Sequence, residues 1–166
     1  MAGSFTIDGS SINRLQYAQQ QLSAVIEQQL PQMSGRMFNL FQYSATVNPW
    51  QPGLQPATSD KLNAAVKYVQ GWGADGGTST YAALKAAYAD PDVEAVYLLS
   101  DGMPNDQPAD TILQAAIAWS KGKTIPCHTV ALVEGGTESN SDKQNAMAFM
   151  KSLADGTGGV YRGFGP

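Results

Sequence analysis

The sequence predicts an α/β fold: a three-layer, doubly wound, mostly parallel sheet with helices on both faces. Strand-like apolar runs alternate with helical segments along the chain. That alternation implies parallel pairing through crossover helices. The runs "VEAVYLLSDG" and "TIPCHTVAL" are near-continuously apolar, as strands buried in a parallel sheet are. Polar loops follow the strands, and in such sheets ligands bind beyond the strands' carboxyl ends.

Each element follows from local pattern. "FTI", residues 5–7, reads as a short strand running into Asp8, Gly9, Ser10 and Ser11. In "RLQYAQQQLSAVIEQQL", Leu15, Ala18, Leu22, Val25, Ile26 and Leu30 recur at 3.6-residue spacing, which predicts an amphipathic helix. Its glutamines form the solvent face and Pro31 stops it. "RMFNLFQYS" reads as a buried strand and the Pro-broken "TVNPWQPG" as a short edge strand. "SDKLNAAVKYVQGW" is a helix capped by Ser59 or Asp60, with Leu62, Ala65, Val66 and Val69 on one face. "GADGG" is a Gly-rich loop, and "TYAALKAAYA" a short helix. "DTILQAAIAWSKG" is a helix capped by Asp110. "SDKQNAMAFMKSLADGTGG" is a capped helix with Ala146, Phe149, Met150 and Leu153 inward, and "VYRG" is a terminal strand.

The 166 residues suit one domain over 5–166, after a start, 1–4, that reads as a tag or linker. The formal charge of −4, without any Lys/Arg cluster, argues against nucleic acid as a partner. No run approaches 18 apolar residues, so no membrane span is expected. The start has neither the basic residues nor the apolar run of a signal peptide. Cys127 is the single cysteine, so no intrachain disulfide forms and an intracellular setting is the plain expectation.

Three polar loops should share one edge of the sheet. They are Asp8, Ser10 and Ser11; "GGTST" at 76–80; and "SDGMPND" at 100–106. Two aspartates with two or three hydroxyls make a hard, oxygen-rich donor set, which suits Mg²⁺ better than a soft metal.

"GGTSTYAAL" followed by "VYLLSDGMPND" resembles the von Willebrand factor type A family. "FNLFQYSATVNPWQPGL", "IPCHTVAL" and "LADGTGGVY" support the likeness, which spans about residues 5–162. It is nearest to the intracellular branch of von Willebrand A domain-containing 3-like proteins and bacterial stand-alone homologues. The resemblance implies a Rossmann-like fold with one antiparallel edge strand. It also implies a metal-ion-dependent adhesion site binding Mg²⁺, or Mn²⁺ or Ca²⁺. The family's third-loop Asp maps to Asp101 and its second-loop Thr to Thr78. Its first loop, Asp-x-Ser-x-Ser, maps to Asp8 and Ser10. Ile12 then stands where the second Ser is expected, unless Ser11 takes that role with one residue deleted. The function implied is recognition of a protein partner, whose acidic side chain completes the metal's coordination. The alternative is a metal-free scaffold with a degenerate first loop.

An enzyme is the weakest reading. The chain has no G-x-G-x-x-G, no P-loop and no nucleophile elbow. His128, on an apolar strand, reads as structural, and Cys127 as a small core hydrophobe. Trp50, Trp72 and Trp119 read as packing residues, Asp106 as a solvated loop residue, and Asp75 as a neighbour of the site.

Overall fold

The structure, a computed structural model, describes residues 4–7, 10–32, 35–73, 76–122, 124–132 and 139–163. The expected first strand, β1 (Ser4–Ile7), pairs antiparallel with β2 (Ser10–Asn13), Ile7 opposite Ser10 and Ser4 opposite Asn13. The two residues between them in sequence, Asp8 and Gly9, lie outside the described residues. Ser10 and Ser11 thus stand within a strand rather than in the loop expected after β1. Neither strand joins another sheet among the described residues.

Helix α1 (Arg14–Gln28) starts directly after β2. Asn13 is its cap: its side chain accepts from the Gln16 N–H (2.8 Å), and the Gln16 side chain accepts from the Asn13 N–H (3.1 Å). This reciprocal box satisfies two end donors. Ala18 and Ile26 are buried as the periodicity requires, but Val25 is 40% exposed. Gln19 departs from the solvent face. Its amide donates to the carbonyls of Val69, Gln70 and Trp72, tying α1 to the end of the next helix.

The segment expected as one buried strand forms two short ones, β3 (Met37–Phe38) and β4 (Phe41–Tyr43). The Pro-broken stretch supplies β5 (Val47–Pro49), antiparallel to β4, and β6 (Gln55–Pro56), antiparallel to β3. Antiparallel pairing is therefore wider than one edge strand. Helix α2 (Ser59–Gln70) is capped by Thr58, one residue before the expected position, with Asp60 in the first turn. Its inner face is Leu62, Ala65, Val66 and Val69 as read.

Beyond it lie α3 (Thr80–Tyr88), β7 (Val96–Ser100), α4 (Ala109–Trp119), β8 (Cys127–Ala131), α5 (Asn140–Thr157) and β9 (Tyr161–Gly163). β7, β8 and β9 form a parallel sheet in that order. The cap of α4 is Pro108, and Asp110 lies within the first turn instead. There its charge still favours the helix dipole. Helix α5 starts at Ser139, whose hydroxyl accepts from the Asp142 N–H, and ends at Gly158 in the left-handed region (φ 79°).

The core has two parts. One gathers Leu84, Val96, Leu98, Ile112, Met150 and Leu153 around the parallel sheet. The other gathers Ile26, Phe38, Leu62, Val66 and Val69 between α1, α2 and β3. Trp50 stacks on Phe38 at 5.4 Å and packs on the second cluster, and Trp119 lies against Tyr81 and Tyr88.

His128 is structural as read: its Nδ1 accepts from the Val160 N–H (3.1 Å), and its ring stacks on Tyr97 at 4.7 Å. Cys127 is fully buried, and burial pushes its thiol up to about 12. Burial likewise pushes the Tyr43 phenol up to about 12 and raises Tyr88. These acids stay protonated in the fold but ionise from pH 9.0 and 10.0 upward when unfolded. The stability they confer is complete below pH 9 and is lost as pH rises through the folded values. The denaturation midpoint, measured from about pH 8 to about pH 11, should fall progressively above about pH 9. A flat profile would contradict this.

Candidate recognition edge at the carboxyl end of β7

β7 delivers its last apolar residues to the core and then turns polar. Ser100 is buried, and Asp101 follows as the chain leaves the strand. The Asp101 side chain is 16% exposed. Its Oδ2 lies 3.4 Å from Nη1 of Arg14, the first residue of α1, whose side chain is wholly buried. A cation at a helix N-terminus opposes the helix dipole, so Arg14 needs acidic company there.

Thr78 reaches the same edge from the second loop. Asn105, four residues past Asp101, clamps it: the Thr78 N–H donates to Asn105 Oδ1 (2.9 Å), and the Asn105 N–H donates to the Thr78 carbonyl (3.1 Å). The preceding glycine explains how the loop fits. Gly77 has φ 103°, and a Cβ there would stand 2.9 Å from the Ala45 backbone nitrogen. The loop is also pinned to that turn by Ser79, whose N–H donates to the Ser44 carbonyl (2.8 Å).

Asp106 is not simply solvated. Its two carboxylate oxygens accept from the N–H groups of Tyr81 (3.3 Å) and Ala82 (3.0 Å). It thereby caps α3, whose own cap residue, Ser79, makes no side-chain cap bond. Tyr43 closes the site from below: its hydroxyl donates to the Leu99 carbonyl (3.1 Å). The negative charge of Asp101 adds to the burial that keeps this phenol protonated.

Of the five expected ligands, Thr78 and Asp101 lie in loops that Asn105 joins through the Thr78 backbone. Ser10 and Ser11 lie four and three residues before Arg14 along the chain. Asp8 falls outside the described residues, as does Asp75. Arg14, Asn105, Asp106 and Tyr43 are the parts of this edge that the sequence pattern did not single out. Among the described residues, no three His, Cys, Asp or Glu side chains cluster as a metal centre. An Asp–Thr pair falls short of such a cluster by nature, since half its donors are hydroxyls. The oxygen-only donors fit a hard divalent ion, while the Arg14 guanidinium competes for the same carboxylate.

The architecture is that of a doubly wound α/β domain, with polar loops tied together at the carboxyl end of β7 beside a parallel sheet. The chain belongs to the von Willebrand factor type A domain family, whose description matches residues 4–163; such domains generally mediate protein–protein interaction. It is 30% identical over 153 residues to human von Willebrand factor A domain-containing protein 3A, covering 92% of this chain and 12% of that protein. It is 28% identical over 149 residues to human von Willebrand factor A domain-containing protein 3B, covering 90% of this chain and 10% of that one. The chain thus spans about a tenth of the length of these relatives.

Solved structures agree on the fold. A von Willebrand factor type A protein from Catenulispora acidiphila superposes with a TM-score of 0.74 at 19% identity, over 92% of this chain and 34% of that one. An aerotolerance-related membrane protein from Bacteroides fragilis gives 0.70 at 17%, over 99% and 86%. No helix among the described residues here is long and apolar enough to cross a membrane.

Proposed function

We propose that this domain binds a protein partner at the carboxyl edge of β7, with a divalent cation held by Asp101 and Thr78 and recognised by an acidic partner side chain. The observation that supports this reading is the Asn105 clamp, which ties the Thr78 backbone to the loop that follows Asp101 although the two loops are far apart in sequence. A hard cation bound by few carboxylates keeps open positions that attract an outside carboxylate. In this reading Asp101 supplies charge and Thr78 a neutral oxygen. Asn105 keeps their loops in register, and buried Ser100 and the Tyr43 hydroxyl bond to the Leu99 carbonyl brace the end of β7.

A second reading, a metal-free scaffold, is favoured by the Arg14–Asp101 pair, which already neutralises the carboxylate. Calorimetric titration with Mg²⁺ and Mn²⁺ separates the two. Saturable binding that Asp101→Asn abolishes is expected. Absence of binding at millimolar ion in both proteins would favour the scaffold.

A further inference from the structure

His128 holds its neighbour with a lone pair, and that lone pair exists only while the imidazole is neutral. Its Nδ1 accepts from the Val160 N–H (3.1 Å), so the ring proton of the neutral form sits on Nε2. In an imidazolium both nitrogens are donors. We propose that His128 is a proton-operated pin on β9: neutral, it holds the chain where that strand begins, and protonated, it lets go. This is independent of the cation reading, since it lies on a different part of the sheet.

Val160 immediately precedes β9, and β8 holds it twice. Its carbonyl accepts from the Thr129 N–H (3.0 Å), a backbone bond indifferent to pH. Its N–H goes to the His128 side chain, which is not indifferent. β9 is only three residues long and pairs with β8 alone, so the bond at its entry is a large part of what secures it. Protonation sets two donors against each other, and turning the ring over gives no relief, because Nε2 carries a hydrogen as well. The surroundings leave the proton free to come and go. The ring stacks on Tyr97 at 4.7 Å, and Tyr97 and Val160 are 69% and 54% exposed. Tyr97 pairs with His128, and Arg162 with Val130, so alternation places exposed Arg162 on the same face, one row further along. Its charge is screened by solvent. Helix α5 packs against the other face, where the Thr129 hydroxyl donates to the Met150 carbonyl, and its Asp155 is paired with Lys151. No carboxylate bonds to His128 among the described residues, so none holds the ring charged. The Tyr97 face can keep the charged ring in place while Val160 is released.

The test is an NMR titration of the whole domain from about pH 8 to about pH 5, the range in which imidazoles change charge. It compares wild type with His128→Asn, whose side-chain oxygen is an acceptor that does not titrate, after circular dichroism has shown both to be folded. His128 is the only histidine, so its ring signals identify themselves. In wild type the Val160 amide signal should move in step with the ring signals. Its protection against hydrogen exchange, corrected for the intrinsic effect of pH, should fall about tenfold across that step, the worth of one hydrogen bond. In His128→Asn the step should be absent. A Val160 signal that does not follow the ring, or a step of equal size in His128→Asn, would overturn the pin. If His128→Asn does not fold, the wild-type titration decides: a Val160 step sharing the ring's midpoint supports release, and an unmoved Val160 amide refutes it.

Discussion

Asp101→Ala is expected to lower the unfolding free energy by about 3 kcal/mol, because it removes one carboxylate partner of a wholly buried guanidinium. Arg14 is wholly buried and Asp101 only 16% exposed, so solvent can do little to replace the lost partner. The figure sits at the low end for such disruptions because one side of the pair still touches water. The double variant Arg14→Leu/Asp101→Ala separates causes. If the cost comes from the buried cation losing this partner, the double variant is more stable than Asp101→Ala alone. Denaturant melts of the single and double variants decide this. A single variant within about 1 kcal/mol of wild type would show that the pair carries little of the fold.

Gly159→Ala should be worse, at about 4 kcal/mol or more, in the range reserved for severe backbone conflict. A Cβ at Gly159 would collide with the carbonyl carbon and oxygen of Cys127 and stand 3.0 Å from the His128 nitrogen. These are backbone atoms of β8, so nothing can rotate aside. The same residue donates its N–H to the Ala154 carbonyl (2.8 Å), closing the end of α5. Relieving the clash would therefore pull β9 off β8 or unwind the helix end. Gly158→Ala is the graded control. It meets a positive φ of 79° rather than a collision, and should cost only about 1–2 kcal/mol. Equal melting temperatures for Gly159→Ala and wild type would contradict the close approach.

The helices were the most legible parts. The inner faces of α2 and α5 follow from 3.6-residue spacing alone, because each packs one clear apolar stripe against its neighbours. The strands were harder where they are short. "RMFNLFQYS" has the composition of one strand, yet Asn39 breaks it: its side-chain amide donates to the Gln51 carbonyl (2.8 Å), and its oxygen accepts from the Leu40 N–H. Such side-chain bonds to backbone compete with strand pairing and leave no periodic trace. The "FTIDGSSIN" stretch was read as a strand feeding a polar loop, whereas Ser10 and Ser11 pair as strand residues, a pairing that so short a run of alternation does not announce.

At the site, Thr78 and Asp101 were readable because they end recognisable elements. Asn105 was not, since its role is to bridge loops 27 residues apart. Asp106 acts on a helix other than its own, which sequence-local capping rules cannot see. Arg14 did leave a signal. A basic residue at the first position of a helix is out of place electrostatically, and that misfit marks a residue held by something beyond its own segment.

The divided core gives the Arg14–Asp101 pair a second meaning. Arg14 belongs to the helix that anchors one hydrophobic cluster, and Asp101 ends the strand that anchors the other. The pair is a tie between two potential cooperative units, each able to open at its own free energy. In a chain built this way, the Arg14–Asp101 pair is one of the ties that make the two halves behave as a single folding body. The unfolding of Asp101→Ala should accordingly be broader than that of wild type, and not merely shifted.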